Sequence, residues 1–515
     1  MTTMTNSPSQ IHRAKHDSFN MTGSQPIPSQ CSRDPLNWSS TKRVFIFISV
    51  GVYSWTSTVV VQAASLMLNG LSKDFAAQIS YPWTVMRLAS TPVLFIGLGA
   101  IIWVPLTLAL GRRPVFLLAT TTLMLSTVGA GCSRTYWELL FCVSFFGLAQ
   151  GFGLSAGFLI FIDISFMHQR PAKIAMVWSV IGGLANATMS TIPFITGDGI
   201  NWRRAYYFWS IPAGISCIMA FALFPETYFL RGLGGNEELS YDGLIIIQTT
   251  TERFIIYEQD ERDADAKANW QTHNKTLPTV PSRSRLQHLC DRLGSFRASK
   301  TSWKAMLACY PQMLLCFINP LIFWSVIMNT VNFVGMMFIS STYAIILSFP
   351  PYSLSSSLLI QRLSRRNKGV REAEHYLVGY ILPVLAGSLS TLIYGLAVSR
   401  YWHFGFYYLA YGLNGFGFIA LAITNTLWVT EAFPRWAAAA LMCLVGIAMI
   451  LSFSISFVIE EWIVQQRFFL VGAELTVLQF VTGLVCMPIA SYGKSLRQKI
   501  NGRRAGRREG GLRPL

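Results

Sequence analysis

Charged residues are scarce in this sequence of 515 residues. Asp, Glu, Lys and Arg together make up 13% of the chain, whereas hydrophobic residues make up 52%. A typical soluble domain carries about a quarter charged residues. This composition excludes an ordinary soluble globular protein, and apolar runs of membrane-spanning length recur along the chain.

Motifs for metal binding, nucleotide hydrolysis and secretion are also missing. The nine cysteines are scattered and none forms a CxxC pair, which argues against a metal site or a disulfide framework. The first 43 residues lack the apolar core of a cleavable signal peptide. Gly493-Lys494-Ser495 resembles the end of a phosphate-binding loop, but Pro488 stands where that loop needs glycine. We expect no cofactor, no metal and no enzymatic reaction.

The apolar runs predict an all-α protein that crosses a membrane many times. A spanning helix needs about 20 residues, because the hydrocarbon core is roughly 30 Å thick. Eleven runs approach or exceed that length. They lie near 44–67, 88–110, 114–132, 137–162, 174–196, 205–224, 316–340, 376–398, 404–429, 436–459 and 468–490.

The net charge of +17 is an orientation signal and not a sign of nucleic-acid binding. Lys and Arg concentrate in the cytoplasmic loops of multispanning proteins. If the N-terminus, the loop after the sixth span and the basic loop at 362–371 are all cytoplasmic, 34 of the 41 basic residues lie inside. With an odd number of spans the second half would invert, and only 22 of the 41 would lie inside. The charge pattern therefore favours an even number of crossings.

The chain divides into two apolar halves joined by a polar middle. A polar cytoplasmic N-terminus (1–43) precedes a bundle of six helices (44–225), and a second helix bundle (306–490) precedes a basic cytoplasmic tail (491–515). Residues 226–305 hold eleven basic and eleven acidic residues, so we expect a solvated linker there. Two halves joined in this way are typical of transporters built from repeats.

Several motifs resemble those of fungal transporters of the major facilitator superfamily. They are DPLNW at 34–38, followed by WVPLTLALGRRPVFLL, DISFMHQR, NWRRAYYFW, FPETYF, PPYSLSSS and SRRNKGVREAEH. The likeness is greatest to the drug:proton antiporter-like branch, which includes multidrug, polyamine and secondary-metabolite carriers. It implies twelve helices in two six-helix bundles, a central cavity and alternating access. It also implies a small-molecule substrate and exchange with protons; we further expect a monomer in the lipid bilayer of the plasma membrane.

One of the twelve expected helices is missing. In relatives, PPYSLSSS begins the eighth helix and the basic loop follows its end, but only about ten residues separate the two here. Three explanations remain open: two cramped spans within 307–348, an irregular crossing within 341–361, or an exon lost from the gene. We favour the lost exon, because irregular backbone at membrane depth needs cover from protein or water.

Charged residues at predicted membrane surfaces are candidates for gating or structural roles. Gly111-Arg112-Arg113-Pro114 forms a basic turn, and Glu226 in the FPETYF stretch could pair with either arginine. Simple anchoring of the turn and a solvated helix end at Glu226 are the alternatives. The candidates are Arg112, Arg113, Asp163, Glu226, Arg365 and Arg366.

Polar and aromatic side chains within the spans are candidates for a substrate cavity. Polar groups at membrane depth are costly unless they are hydrogen-bonded, so they have a structural or binding role. The candidates are Trp55, Gln62, Gln150, Trp178, Asn186, Asn329, Asn332, Tyr408, Asn414 and Asn425. For each amide, bonding between helices without substrate contact is an equally good explanation. No carboxylate falls at mid-depth in this pattern, so proton coupling rests on the resemblance alone.

Two functions follow. The first is a secondary carrier of a small organic compound such as a drug, polyamine or secondary metabolite, working by proton-coupled efflux. The second is a transport-inactive relative that acts as a sensor or scaffold, or a defective product of a mis-spliced gene. The missing helix motivates the second.

Overall fold

The computed structural model describes residues 34–75, 78, 84–166, 169–189, 191–197, 201–228, 244–248, 253–257, 303–343, 379–400, 402, 404–433 and 436–489. The described part is helical apart from one hairpin of two antiparallel strands, β1 (Leu244–Gln248) and β2 (Arg253–Tyr257). This hairpin lies within the stretch expected to be a solvated linker.

The first half begins with a short turn at Pro35–Asn37, and its helices follow one another with short connections. They are α1 (Ser40–Leu66), α2 (Leu68–Asp74), α3 (Met86–Leu110), α4 (Arg112–Cys132), α5 (Tyr136–Leu154), α6 (Ala156–Asp163), α7 (Arg170–Ser179), α8 (Ala185–Met189), α9 (Thr191–Thr196) and α10 (Trp202–Leu223). A π-helical turn, Val180–Leu184, joins α7 to α8.

The second half contains α11 (Trp303–Ile318), α12 (Pro320–Tyr343), α13 (Ile381–Arg400), α14 (Phe404–Ala432), α15 (Ala437–Leu441) and α16 (Ala448–Leu484). A π-helical turn, Met442–Ile447, joins α15 to α16. Arg467 interrupts α16 with a φ of 67°, so this element contains the last two spans and the bend between them.

Ten helices of the described part are long and apolar enough to cross a membrane. They agree with ten of the eleven predicted spans, including Ala437–Ile459 and Glu461–Ile489 on the two sides of the bend. The predicted fifth span, 174–196, is instead divided into α7, a π-helical turn, α8 and α9. Gly182 and Gly183 lie in that turn, and glycine weakens a helix because it gains conformational freedom on unfolding. The all-helical, multispanning fold class is confirmed, although the count of eleven is not.

The prediction of the seventh span, 316–340, was wrong about where the helix begins. Asn319 separates α11 from α12, and its side chain accepts a hydrogen bond from the N–H of Leu321 at 3.1 Å. Pro320 at the first helical position favours a new helix there.

We call the side of the molecule where α1 begins and α3 and α10 end the linker side. Because α11 packs against α3, α15 and α12 at that side, it does not form a second crossing beside α12.

Glycines allow the first half to pack closely. A Cβ at Gly147 would lie 2.2 Å from the carbonyl oxygen of Pro92, and one at Gly151 would lie 2.5 Å from that of Ile96. The glycines of the fourth span therefore serve close packing, and α3 leaves no room for a side chain at position 147.

The helix packing of the first half recurs in the second. In the first half α10 packs on α1 and α4, and α4 packs on α5. In the second half the final span within α16 packs on α12 and α13, and α13 packs on α14. The helix α3 also belongs to the first bundle, where it packs against α5 and α1. Among the described residues, the second bundle has no counterpart of α3.

The two halves meet where α3 crosses the π-helical turn before α16. A Cβ at Gly97 would lie 2.6 Å from the carbonyl oxygen of Gly446, so the two backbones touch. Toward the far side, the buried guanidinium of Arg87 lies 3.7 Å from the ring centroid of Phe457. A second contact joins Trp178 on α7 to Phe418 on α14, with ring centroids 6.1 Å apart.

Candidate functional site

A cluster of charged groups lies at the linker side of the first half. Gly111 has a φ of 99°, a left-handed conformation that glycine adopts without strain, and it lets the chain turn from α3 directly into α4. The next residue, Arg112, is fully buried. The turn predicted from the GRRP sequence thus places a guanidinium inside the protein and not at the headgroup surface.

The guanidinium of Arg112 pairs with Asp163 at the end of α6. Its Nε lies 3.3 Å from Oδ2 of Asp163, and another of its nitrogens bonds the hydroxyl of Thr107. The ring of Tyr228 lies over the same guanidinium, with its centroid 5.4 Å away. A buried charge pair is stable only when both partners stay in place. Asp163 and Arg112 thus tie the end of α6 to the start of α4.

Glu226 caps the N-terminus of α4 through the backbone. Its two carboxylate oxygens accept hydrogen bonds from the N–H groups of Arg112 at 2.9 Å and Arg113 at 3.1 Å. The N–H of Tyr228 donates a third, at 2.8 Å. The expected contact between Glu226 and an arginine exists, but it is with the backbone and not with the guanidinium. Negative charge at this end of a helix is favourable because the helix dipole is positive there.

Burial, in contrast to the helix dipole, disfavours the charged form of the Glu226 carboxylate. It raises the pKa of Glu226 above the ordinary value, while the three backbone hydrogen bonds and the nearby Arg112 lower it. The alternative of a simple solvated helix end is wrong, because Glu226 is half-buried and fully engaged at its oxygens.

Arg113 is less constrained than Arg112. Its Nη2 donates to the carbonyl oxygen of Phe221 at 3.3 Å, and its side chain is half-buried. The other two charged candidates, Arg365 and Arg366, lie outside the described residues.

The helix α11 covers this cluster from the linker side. Cys309 of α11 is buried beside Arg112, and burial raises the pKa of its thiol to about 12. Further along α11, the carbonyl oxygen of Met313 accepts a hydrogen bond from the Cys443 thiol at 3.2 Å. The helix therefore contacts the charge cluster of the first half and, in the second half, Cys443 in the span Ala437–Ile459.

The polar candidates of the first half mainly form hydrogen bonds to side chains on neighbouring helices of the same half. The indole N–H of Trp55 donates to Thr188 at 2.9 Å, and Nε2 of Gln150 donates to Thr58 at 3.1 Å. Trp178 stacks on Phe158, with centroids 5.3 Å apart, and is the one that also faces the second half. Gln62 is partly exposed, and the side chain of Asn186 is outside the described part.

The second-half candidates are buried amides. Asn329 donates to the carbonyl oxygen of Leu444 at 3.0 Å, Asn414 donates to Ser390 at 3.2 Å, and Asn425 accepts from Tyr380 at 2.5 Å. Asn332 is buried, and its Nδ2 has no hydrogen-bond partner. The side chain of Tyr408 is outside the described part.

Two functional candidates were missed from the sequence. Gln479 is a lone amide in an apolar span and is almost fully buried, so the rule that selected Gln150 should also have selected it. Arg87 was not among the candidates, but it is buried at the start of α3 between the two halves. No sequence signal identifies Arg87, because its burial depends on Phe457, which is distant in the chain.

Within the described ranges, no group of three His, Cys, Asp or Glu side chains could hold a metal ion. Arg112 and Asp163 pair at the linker side, Arg87 is buried toward the far side, and the buried polar groups deeper in the described spans include amides, hydroxyls and indoles. Two packed bundles of this composition define a multi-pass membrane carrier.

The family model of the Major Facilitator Superfamily matches residues 46–489, and the chain belongs to that family. It is 21% identical over 524 residues to an uncharacterized MFS-type transporter of Schizosaccharomyces pombe, a match that covers 92% of this chain and 88% of the relative. It is 28% identical over 261 residues to polyamine transporter 4 of Saccharomyces cerevisiae, covering 48% of this chain and 36% of that one.

Among solved structures, a mutant of the peptide transporter POT in complex with alafosfalin is similar in fold. The TM-score is 0.53, at 14% identity over 90% of this chain and 98% of that one. As a member of the Major Facilitator Superfamily, the chain is a secondary transporter of small organic substrates and a carrier rather than an enzyme, as the motifs from DPLNW onward implied.

Proposed function

We propose that this carrier exchanges a small amphipathic organic compound for protons by alternating access and exports it across the plasma membrane. The single observation that supports this best is the contact of α3 with the second half at Gly97 and Gly446. Backbone meets backbone there, with the side chains of Ile101 and Ile450 beside the contact, and the halves rock about this point. The charge cluster and α11 lie at the linker side.

The substrate class follows from the polar groups within the spans. Among the described residues, the buried side chains at mid-depth include amides and hydroxyls, together with the indole of Trp178, whereas the buried carboxylate of the spans, Asp163, is paired at the linker side. Ammonium groups of a polyamine need carboxylates or aromatic faces for binding. An amphipathic compound with an apolar body and a few hydrogen-bonding groups suits this lining better than a polyamine.

Flux in proteoliposomes tests the proposal. Vesicles with purified protein and an imposed pH gradient should accumulate a fluorescent amphipathic substrate, and the protonophore control should abolish the accumulation. An Asp163→Asn variant, reconstituted to the same density, is the matched control for the gate. Uptake that is equal with and without the gradient would reject proton exchange but not transport.

A second candidate function has one observation in its favour. The second bundle lacks a described counterpart of α3, and α3 provides the contact between halves in the first bundle. A bundle without that helix could persist as a sensor or scaffold that binds without transporting. Saturable binding of a substrate without flux in the same vesicles would favour this second function.

A further inference from the structure

Three helices of the second half bring unpaired polar groups to one place at mid-depth. Gln479 of α16 is 2% exposed, Asn332 of α12 is 4% exposed and Ser388 of α13 is 5% exposed. Within the described part of the chain, Nε2 and Oε1 of Gln479, Nδ2 of Asn332 and Oγ of Ser388 have no hydrogen-bond partner. We call these three residues the amide cluster.

Two glycines create the space for the amide cluster. A Cβ at Gly335 on α12 would lie 2.0 Å from Nε2 of Gln479, so no other residue fits there. A Cβ at Gly387 on α13 would lie 3.3 Å from Oε1 of Gln479 and 3.4 Å from Oδ1 of Asn332. The side chains of Gln479 and Asn332 therefore approach the same point beside the backbone of Gly387.

The chemistry of these groups identifies the ligand. An unpaired amide at this depth is costly, because neither lipid nor apolar side chains can bond to it. The cluster offers two amide N–H₂ donors, one carbonyl acceptor and one hydroxyl that can serve either way. A water molecule has two donors and two acceptors, and buried waters typically make about three bonds to such groups.

We propose that the amide cluster is a binding site for ordered water at mid-depth of the second bundle. The bound water links α12, α13 and α16 into one unit, as direct bonds do elsewhere. Its nearest comparison is the pair Thr391 and Thr476, on α13 and α16, whose hydroxyls bond directly at 2.9 Å. The site does not depend on which compound the carrier transports.

Whether one substitution raises or lowers the Tm tests the proposal, and this test needs no substrate. Gln479→Met preserves shape and removes both polar atoms. In a dry site this removes two unpaired groups and raises the Tm of the detergent-solubilised full chain. In a hydrated site the water loses partners, and we expect the Tm to fall by about 2 °C or more. Thr476→Val, which breaks a direct bond, should lower the Tm and shows that the assay detects such losses.

A density map distinguishes hydration from simple misfolding of the variant. We expect a peak within hydrogen-bonding distance of at least two of the three side chains in a map that resolves ordered water elsewhere in the protein. A Tm that rises or is unchanged in Gln479→Met would overturn the proposal. So would a map without that peak.

Discussion

The rings of Trp324 and Tyr380 lie with their centroids 5.3 Å apart, at the start of α12 and just before the start of α13. Near the other ends, Phe338 lies 5.4 Å from Tyr394. The two helices are therefore parallel neighbours. The chain leaves α12 at the far side and enters α13 at the linker side, which agrees with the even number of crossings that the charge pattern favours.

Topology is testable by cysteine labelling in intact cells. A cysteine in place of Lys73, which is exposed beyond α1, should react with an impermeant maleimide. Cysteines placed in 226–305, in 364–371 or after 494 should react only after permeabilisation. A background without exposed Cys132 is the control. Labelling of 364–371 in intact cells would contradict the parallel arrangement.

The pairing of Arg112 with Asp163 should matter for both stability and flux. Arg112→Ala leaves the Asp163 carboxylate buried without its partner, at a cost of about 3–5 kcal/mol in the free energy of unfolding. Arg113→Ala is the matched control and should cost about 1 kcal/mol or less, because its side chain is half-buried. The double variant Arg112→Ala/Asp163→Ala should be more stable than Arg112→Ala alone. Wild-type flux in Arg112→Ala would leave the cluster without a gating role.

Glu226 should make stability depend on pH in a definite direction. Burial raises its pKa in the folded state, so the folded state holds the proton longer than the unfolded state. Stability contributed by this group is present below the ordinary carboxyl pKa of about 4.3 and declines as pH rises through the folded pKa. Thermal unfolding of the wild type and of Glu226→Ala between pH 4 and 7 measures the difference. A Glu226-dependent increase with pH would mean that its backbone hydrogen bonds outweigh burial.

Glu226→Ala should also weaken the start of α4. Loss of a helix cap costs about 0.5–2 kcal/mol, and here one carboxylate receives three N–H groups. The fall should be visible as a lower Tm and should be larger near pH 4 than near pH 7, because burial raises the pKa of this carboxylate. Glu138→Ala offers a comparison, because Glu138 accepts from the N–H groups of Arg134 and Thr135 at an exposed helix start.

Cys309 should report whether α11 lifts from the charge cluster. Its thiol is 1% exposed and its pKa of about 12 leaves almost no thiolate at neutral pH, so maleimide should react slowly. Asp163→Asn should accelerate labelling if the cluster holds α11 in place. Labelling of Cys486 in the same variant is the control for general unfolding. Equal rates of Cys309 labelling in both proteins would separate α11 from the cluster.

The missing crossing leads to the last prediction. Among the described residues the second bundle has no counterpart of α3, so we expect the 515-residue chain to insert and transport less well than a variant with an added crossing. Inserting about 25–30 apolar residues between Ser357 and Arg362 should restore stable insertion, since one crossing and a turn need that length. A scrambled polar insert of the same length is the control. Equal insertion and equal flux with and without the apolar insert would refute the expectation.

The sequence by itself determined the class of this protein. The length of an apolar run and the basic charge of a loop are local features of the sequence, and they match the thickness and the two sides of the bilayer. Ten spans and the turn at Gly111 followed from such patterns. Only the tertiary structure decided the partners: Asp163 for Arg112, the backbone of α4 for Glu226, and α3 as the neighbour of Gly446. It also showed that α11 lies at the linker side and that Gln479 and Asn332 converge. These contacts join residues far apart in the chain, and helix periodicity gives a buried face but not the helix that covers it.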